Sequence, residues 1–235
     1  MVKLLRLLAV PDYRRGLRHG VAAAIEHDAV FLEHEPRTVL DVGANRGQFA
    51  LFALRRFPRA RLICFEPLAR PAGVLRRVVN GRADVHEVAL AAASGTAGMH
   101  LTRKDDSSSL LPVTEQQVHA FPGSREVASV EVPVRRLDEC VDPARLARPC
   151  LMKIDVQGGE LDVLRGCGEV LRSVDELIVE CSFTELYAGQ ALADDVIREL
   201  RAAGFRLHGV ASRTDAADGR PLQADMVFGR EAAAA

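Results

Sequence analysis

The run Asp155-Val156-Gln157-Gly158-Gly159-Glu160 closes the apolar stretch 151–154 with two carboxylates. An acid at the carboxyl edge of a buried strand stands where parallel sheets bind their ligands. Asp155 there has the chemistry of a general base toward a substrate hydroxyl. Joined by Glu160, it has that of a ligand to a hard divalent cation such as magnesium, which acidifies the hydroxyl. Glu180, near the end of the next strand, completes such a set or pairs with an arginine. Structural duties compete for the other two, since Asp155 also suits a helix cap and Glu160 an exposed first helical turn.

The second cluster is Asp41-Val42-Gly43-Ala44-Asn45-Arg46-Gly47, where a short apolar strand breaks into a turn and enters a helix. Gly43 and Gly47 give the backbone freedom a tight turn needs, and asparagine tolerates the left-handed conformation between them. The N–H groups that open the following helix favour a negative ligand group. A nicotinamide or flavin fingerprint requires glycines at 43, 45 and 48, but positions 45 and 48 are Asn and Gln. The alternative spacing, acid-x-Gly-x-Gly-x-Gly with Asn45 in the middle, resembles the first motif of class I S-adenosylmethionine-dependent methyltransferases. In that motif Asp41 lies toward the ammonium side of the ligand's methionine moiety. Glu66 ends the second strand where an acid grips both ribose hydroxyls of an adenosine-containing ligand, two acceptor oxygens matching two vicinal donors. Its plain reading is a solvated strand-end acid stopped by Pro67.

These residues need a scaffold, and the apolar pattern supplies one. Residues 1–35 read as helical, with Pro11 and Gly16 or Gly20 as breaks and Pro36 as the end. Strand and helix then alternate: a strand at 38–42, a helix at 47–57, a strand at 61–65, a helix at 69–79 and a strand at 85–88. That rhythm implies right-handed crossovers and a parallel sheet covered on both faces. After a turn at 94–98 come strands at 99–102 and 127–134, separated by the polar stretch 103–124. A connection that long is a functional lid or a mobile loop. Alternation resumes with a strand at 151–154, a helix at 160–165, a strand at 176–181, a helix at 191–203 and a strand at 205–210. A turn at 215–219 and a last strand at 224–228 make an antiparallel edge hairpin, and residues 231–235 form a frayed tail. The expected layout is an N-terminal helical segment, 1–36, ahead of one α/β domain, 37–230.

The chain has 235 residues, 48% hydrophobic and 27% charged, with a formal net charge of −1, ordinary values for a soluble globular protein. That balance gives no general pull toward nucleic acid or anionic membrane. No apolar run approaches the roughly 20 residues of a membrane-spanning helix. Five cysteines without a C-x-x-C pair fit a reducing cytoplasm better than a disulfide framework. Pro149-Cys150 starts a strand, at the edge away from the ligand crevice, and reads as a buried structural cysteine. The seven histidines show no zinc spacing, His119 in the long stretch being the one to test as a base. With no Trp and only Tyr13 and Tyr187, no platform exists for stacking single-stranded nucleic acid. The N-terminal run of leucines with Lys3, Arg6, Arg14, Arg15 and Arg18 reads in two ways. It packs its leucines on the core, or it touches a membrane surface or an acidic substrate.

Several short motifs, in order, are similar to the FkbM family of methyltransferases. They are the Asp41–Gly47 turn, Phe65-Glu66-Pro67, Val88-Ala89-Leu90, the serines 107–109, Arg136-Leu137-Asp138, Lys153-Ile154-Asp155 with its continuation to Glu160, and Leu177-Ile178-Val179-Glu180. The resemblance implies a seven-stranded class I methyltransferase fold with an antiparallel edge hairpin, S-adenosylmethionine as methyl donor, and a hydroxyl acceptor on a natural product, sugar or glycolipid. It makes Asp41, Gly43, Ala44, Asn45, Gly47, Glu66 and Pro67 cofactor residues, with Asn80 and Ala89 near the adenine. In place of the family's common Glu-Gly-Ala-Glu, this chain has Gln157-Gly158-Gly159-Glu160, which removes an acid from position 157. A nicotinamide-dependent oxidoreductase on a related sheet and a non-catalytic S-adenosylmethionine-binding domain are the competing classes. Whether the protein forms a homo-oligomer is left open by the sequence.

Overall fold

A computed structural model describes residues 2–30 and 32–230, so the tail at 231–235 lies outside the described residues. Its centre is a seven-stranded sheet of order β3-β2-β1-β7-β8-β10-β9. The strands are β1 (Thr38–Val42), β2 (Arg61–Phe65), β3 (Ala83–His86), β7 (Cys150–Ile154), β8 (Glu176–Ser182), β9 (Phe205–Asp215) and β10 (Pro221–Arg230). β1 runs parallel to both β2 and β7, β7 is parallel to β8, and only β10 is reversed, antiparallel to β8 and β9. Successive residues of a strand face opposite sides, so burial on both faces demands continuous apolar runs. The central strands supply them. Val39, Leu62, Leu151 and Ile178 pack beneath α2 (Pro11–Arg18), α3 (Gln48–Arg56) and α4 (Ala69–Val79). Their neighbours Leu40, Ile63, Met152 and Val179 pack on the other side with α7 (Glu160–Arg165) and α8 (Ala193–Ala202).

β1, β2, α4 and α7 have the expected bounds. The chain departs from the simple alternation after β3. Residues 87–88 leave the main sheet, and β4 (Ala89–Leu90) pairs with Val134 and Arg135 of β6 (Glu126–Arg135) in a second sheet of order β4-β6-β5. β5 (Gly95–Thr102) starts inside the expected turn, its ladder running antiparallel along β6.

The stretch 103–124 is built, not open. It contains α5 (Glu115–Ala120), whose first turn donates Gln117 N–H to the Thr114 hydroxyl at 3.2 Å. Ser109 and Ser124 are wholly buried, and the Ser109 hydroxyl donates to the Gln157 carbonyl at 2.6 Å. A short helix, α6 (Leu137–Cys140), follows β6.

At the N-terminus α1 (Val2–Ala9) and α2 meet at Pro11, as expected. Gly16 does not break α2: it packs flush on α3, where a Cβ would come within 2.5 Å of Leu51 Cδ1. Leu7 is buried, whereas Leu4, Leu5 and Leu8 are exposed, so the expected packing of the leucines holds for one of these four. Among the described residues no helix is long and apolar enough to cross a membrane.

Candidate active site

The switch point of the sheet lies between β1 and β7, whose neighbours run outward in opposite directions along the strand order. Doubly wound sheets bind ligands in the crevice outside such strand ends. Here the crevice is a cavity of about 310 Å³.

Its donor side is the turn after β1. Gly43 and Ala44 N–H both donate to the Phe65 carbonyl, at 3.0 and 2.9 Å. Gly43 is indispensable at its φ of +81°, because a Cβ there would lie 1.8 Å from the Asp155 carbonyl oxygen. Asn45 has φ +45°, and its Oδ1 accepts Arg46 N–H at 2.6 Å, which fixes the turn's outer edge. Gly47, at φ +98°, lets α3 begin directly over Leu75 and Val78 of α4. It shapes the cavity without lining it.

Glu66 is only 4% exposed, and both of its oxygens accept backbone donors, Oε2 from Asn45 N–H and Oε1 from Leu68 N–H, each at 2.9 Å. The acid expected at the strand end is therefore not a freely solvated one. It is strapped across the turn, with both oxygens held in place by backbone donors. Pro67, Leu68, Val88, Ala89 and Leu90 continue this wall as an apolar slot. Asn80 caps α4 in the left-handed conformation and is not brought to the cavity.

Asp41 lies beneath the turn, wholly buried, and neither carboxylate oxygen has a hydrogen-bond partner among the described residues. Burial pushes its carboxyl up to about 6, tempered by the Lys153 ammonium. An orphaned buried carboxylate is costly and calls for a cationic or donor partner.

The opposite wall carries three carboxylates at the ends of neighbouring strands. Asp155 Oδ2 accepts the Lys153 ammonium and Oδ1 the Gln157 amide, both at 2.8 Å, so it is an ion-paired group and caps no helix. Burial opposes the charge of Lys153, but Asp155 and Asp41 outweigh it and hold the ammonium's pKa above the usual lysine range. Among the described residues Glu180 meets no arginine; its oxygens accept the Gln157 and Gln223 amides at 2.8 and 2.7 Å. Burial, with Asp155 and Asp225 beside it, pushes its carboxyl well above the ordinary range. Asp225 of β10 is the third. Burial alone would raise it, yet the His27 ring and Lys153 bring it down to about 2.

Glu160 departs from both expectations. It is 4% exposed, turned inward, and its Oε1 accepts Val156 and Gly158 N–H at 3.1 and 3.0 Å. Its carboxylate holds the loop after β7 together, where burial raises it to about 7, and it does not line the cavity. Without it the expected cation set shrinks to Asp155 and Glu180, and the Gln157 amide nitrogen, a donor, stands between those two. Among the described residues no grouping of three His, Cys, Asp or Glu side chains is placed to hold a metal ion. His119 is exposed on α5 and its Nδ1 lies 2.9 Å from the Glu115 carbonyl, away from the cavity. Cys150, 1% exposed, is pushed up to about 12 by burial, as suits an inert core thiol.

Four contributors escape sequence reasoning. Lys153 carried a signal, a lone lysine inside an apolar strand, which is buried only when paired. Tyr187 donates its hydroxyl to Gln157 Oε1 at 2.6 Å and so fixes which end of that amide faces the carboxylates. His27 and Asp225 come from opposite ends of the chain and have no local pattern that joins them.

A seven-stranded sheet with a reversed strand next to one edge, a glycine turn after β1 and an acid ending β2 together define a class I methyltransferase. The sequence profile of the methyltransferase FkbM domain matches residues 41–207, and the chain belongs to that family. It is similar to the 2-O-methyltransferase NoeI of Sinorhizobium fredii, 30% identical over 189 residues that cover 76% of this chain and 78% of that protein. It is also similar to Methyltransferase 1 of Beauveria bassiana, 27% identical over 60% of this chain and 63% of the other. Among solved structures, a putative tRNA (m1A22) methyltransferase from Streptococcus pneumoniae, Sp1610, in complex with S-adenosyl-L-methionine, superposes with a TM-score of 0.49 at 14% identity, covering 93% of this chain and 74% of that one. The protein is a methyltransferase.

Proposed function

We propose that this methyltransferase uses S-adenosylmethionine to methylate a hydroxyl of a small or medium acceptor, a sugar, a glycolipid or another natural product. The observation that carries the proposal is that one cavity joins the Glu66-strapped glycine turn to the wall of Asp155, Glu180 and Asp225. The residues present suit the donor. Glu66 lines the cavity with a fixed pair of acceptor oxygens suited to two ribose hydroxyls, the apolar slot from Leu68 to Leu90 suits an adenine, and Asp41, wholly buried beneath the turn and outside the cavity lining, biases the turn electrostatically toward an ammonium group. The similarity to NoeI, named a 2-O-methyltransferase, supports an oxygen acceptor.

Bound S-adenosylmethionine supplies an electrophilic methyl group on a sulfonium, which is already a good leaving group. The protein's own tasks are to align an acceptor oxygen, remove its proton and keep water out. The carboxylate wall removes the proton. The segment 103–124 covers it from above, with Leu110 and Leu111 facing the cavity and Ser109 bonded to the Gln157 carbonyl. Incubation with isotopically labelled S-adenosylmethionine and a metabolite extract, followed by mass spectrometry, tests the reading. A labelled product carrying an O-methyl group is expected, and label on nitrogen or carbon alone would refute it.

A further inference from the structure

We propose that Glu180 is the residue that takes the proton from the acceptor hydroxyl, and that Asp225, steadied by His27, anchors a second donor group of the same acceptor. This assignment rests on the methyl-transfer reading above.

Glu180 and Asp225 are direct cross-strand partners in the antiparallel β8–β10 pair, and both line the cavity. Opposed residues in such a pair have Cβ atoms about 4.5–5.5 Å apart on one face of the sheet. That spacing suits two neighbouring hydroxyls of one acceptor molecule. The three carboxylates of the wall are served differently. Asp155 has its charge balanced by Lys153, 2.8 Å away.

Asp225 Oδ2 accepts the Ser212 hydroxyl at 2.6 Å and lies 3.5 Å from His27 Nε2. His27 Nδ1 lies 3.1 Å from the Ala24 carbonyl, which can only accept, so Nδ1 carries a proton and Nε2 faces Asp225, attracting its charge when the ring is the imidazolium, with both nitrogens protonated. Phe49 and Phe52 pack on the ring at centroid distances of 5.2 and 5.8 Å and hold its plane. Every one of these polar contacts falls on Oδ2, and among the described residues no hydrogen bond reaches Oδ1. Asp225 therefore keeps an acceptor oxygen for the ligand while its charge is stabilised from behind.

Among the described residues Glu180 has no cation in hydrogen-bond contact, only the two glutamine amides. The charged groups around it are Asp155 and Lys153 of β7, Asp225 of β10 and Glu160 of α7, three of them acids that raise its proton affinity and one a lysine that lowers it. Unpaired with a cation and flanked by acids at the cavity wall, it is the carboxylate best placed to accept a proton. In the step assigned to it, the acceptor oxygen forms a bond to the methyl carbon as the carbon–sulfur bond breaks. The bonding pair goes to sulfur, which becomes a neutral thioether, and the O–H proton passes to the Glu180 carboxylate. His27 and Asp225 both lie outside residues 41–207, so this half of the acceptor site is built by parts of the chain beyond the family match.

The test uses the full chain, labelled S-adenosylmethionine and a panel of methyl glycopyranosides with neighbouring hydroxyls, each beside its deoxy counterpart. Glu180→Gln is expected to lose about 100-fold or more in turnover, the range of a general base, while calorimetry shows unchanged cofactor affinity. The wild-type rate should rise with pH along a limb above the ordinary carboxylate range, and that limb should be absent in the residual rate of Glu180→Gln. Asp225→Asn should raise KM about 10-fold more for the diols than for their deoxy counterparts. Turnover by Glu180→Gln within about 3-fold of wild type, equal effects of Asp225→Asn on diol and deoxy sugar, or no labelled sugar at all from cofactor-loaded protein would each overturn the proposal. Failure of the wild type to bind S-adenosylmethionine would instead overturn the reading on which it rests.

Discussion

Replacing Asp41 with asparagine should stabilise the ligand-free protein and weaken its hold on the methyl donor. Asp41 is wholly buried without a hydrogen-bond partner, and burial lifts its carboxyl from 3.8 to about 6. A rise of about 2 units at about 1.4 kcal/mol each is a cost of roughly 3 kcal/mol to the folded state. Below about pH 4 the group is protonated in both folded and unfolded chains and the cost vanishes. It grows as pH rises and is complete above pH 6. Asp41→Asn removes the charge but leaves a buried amide short of partners, which returns about 1–3 kcal/mol of the gain. At about 2–4 °C per kcal/mol for a chain of this size, the remaining gain of up to about 2 kcal/mol should raise the variant's melting temperature by up to about 8 °C over wild type at pH 7.5. That advantage should disappear near pH 4.5. The same variant should bind S-adenosylmethionine about 3- to 10-fold more weakly, roughly 1 kcal/mol of through-space charge attraction. Paired melting curves from pH 4.5 to 8, with calorimetry at pH 7.5, read both effects. A melting difference that does not vary with pH, or unchanged affinity, would refute the assignment of Asp41.

Other perturbations separate the parts of the site. Gly43→Ala places a methyl 1.8 Å from the Asp155 carbonyl at a φ of +81°, so it must pry β1 from β7 and should lower stability by about 3 kcal/mol or more in urea unfolding. Gly189→Ala has a comparable φ of +77° but open space, and should cost only the left-handed strain of about 1 kcal/mol; equal losses would contradict the close-approach argument. Tyr187→Phe removes the hydroxyl that orients Gln157, and should slow methyl transfer several-fold while calorimetry shows the same donor affinity. Activity should survive dialysis against EDTA, because Glu160 is committed to the loop and an amide donor separates Asp155 from Glu180; loss restored by magnesium would reverse that conclusion.

What the sequence reveals follows from how local each determinant is. β1, β2 and α4 are bounded by their own residues: β-branched and aromatic runs stopped by Gly43, by Pro67 and by Asn80 in a left-handed cap. The turn and Glu66 are equally local, since a strand, its terminal acid and the next helix lie close together in the chain. The split of residues 83–90 between two sheets is not local. Val88 continues the apolar pattern, and only the pairing of Ala89 with Val134 shows that the strand has changed partners. The order of 103–124 comes from bonds such as Thr114 Oγ1 to the Leu186 carbonyl, 2.8 Å across the fold. Glu160 and Asp155 looked alike as acids near a strand end. Glu160 turned inward, where its carboxylate accepts two loop amides, the half-buried Val156 N–H and the buried Gly158 N–H. His27 reaches Asp225 from the far end of the chain, a juxtaposition that no spacing rule anticipates.

The central claim is that the Glu66-strapped turn binds S-adenosylmethionine in the cavity that also holds the carboxylate wall. Calorimetric titration of the purified chain with S-adenosylmethionine, run beside Glu66→Ala, tests it most directly. Saturable binding at one site per chain, lost or at least about 10-fold weaker in the variant, is the expected result. No binding to the wild type, or equal binding to both proteins, would contradict it.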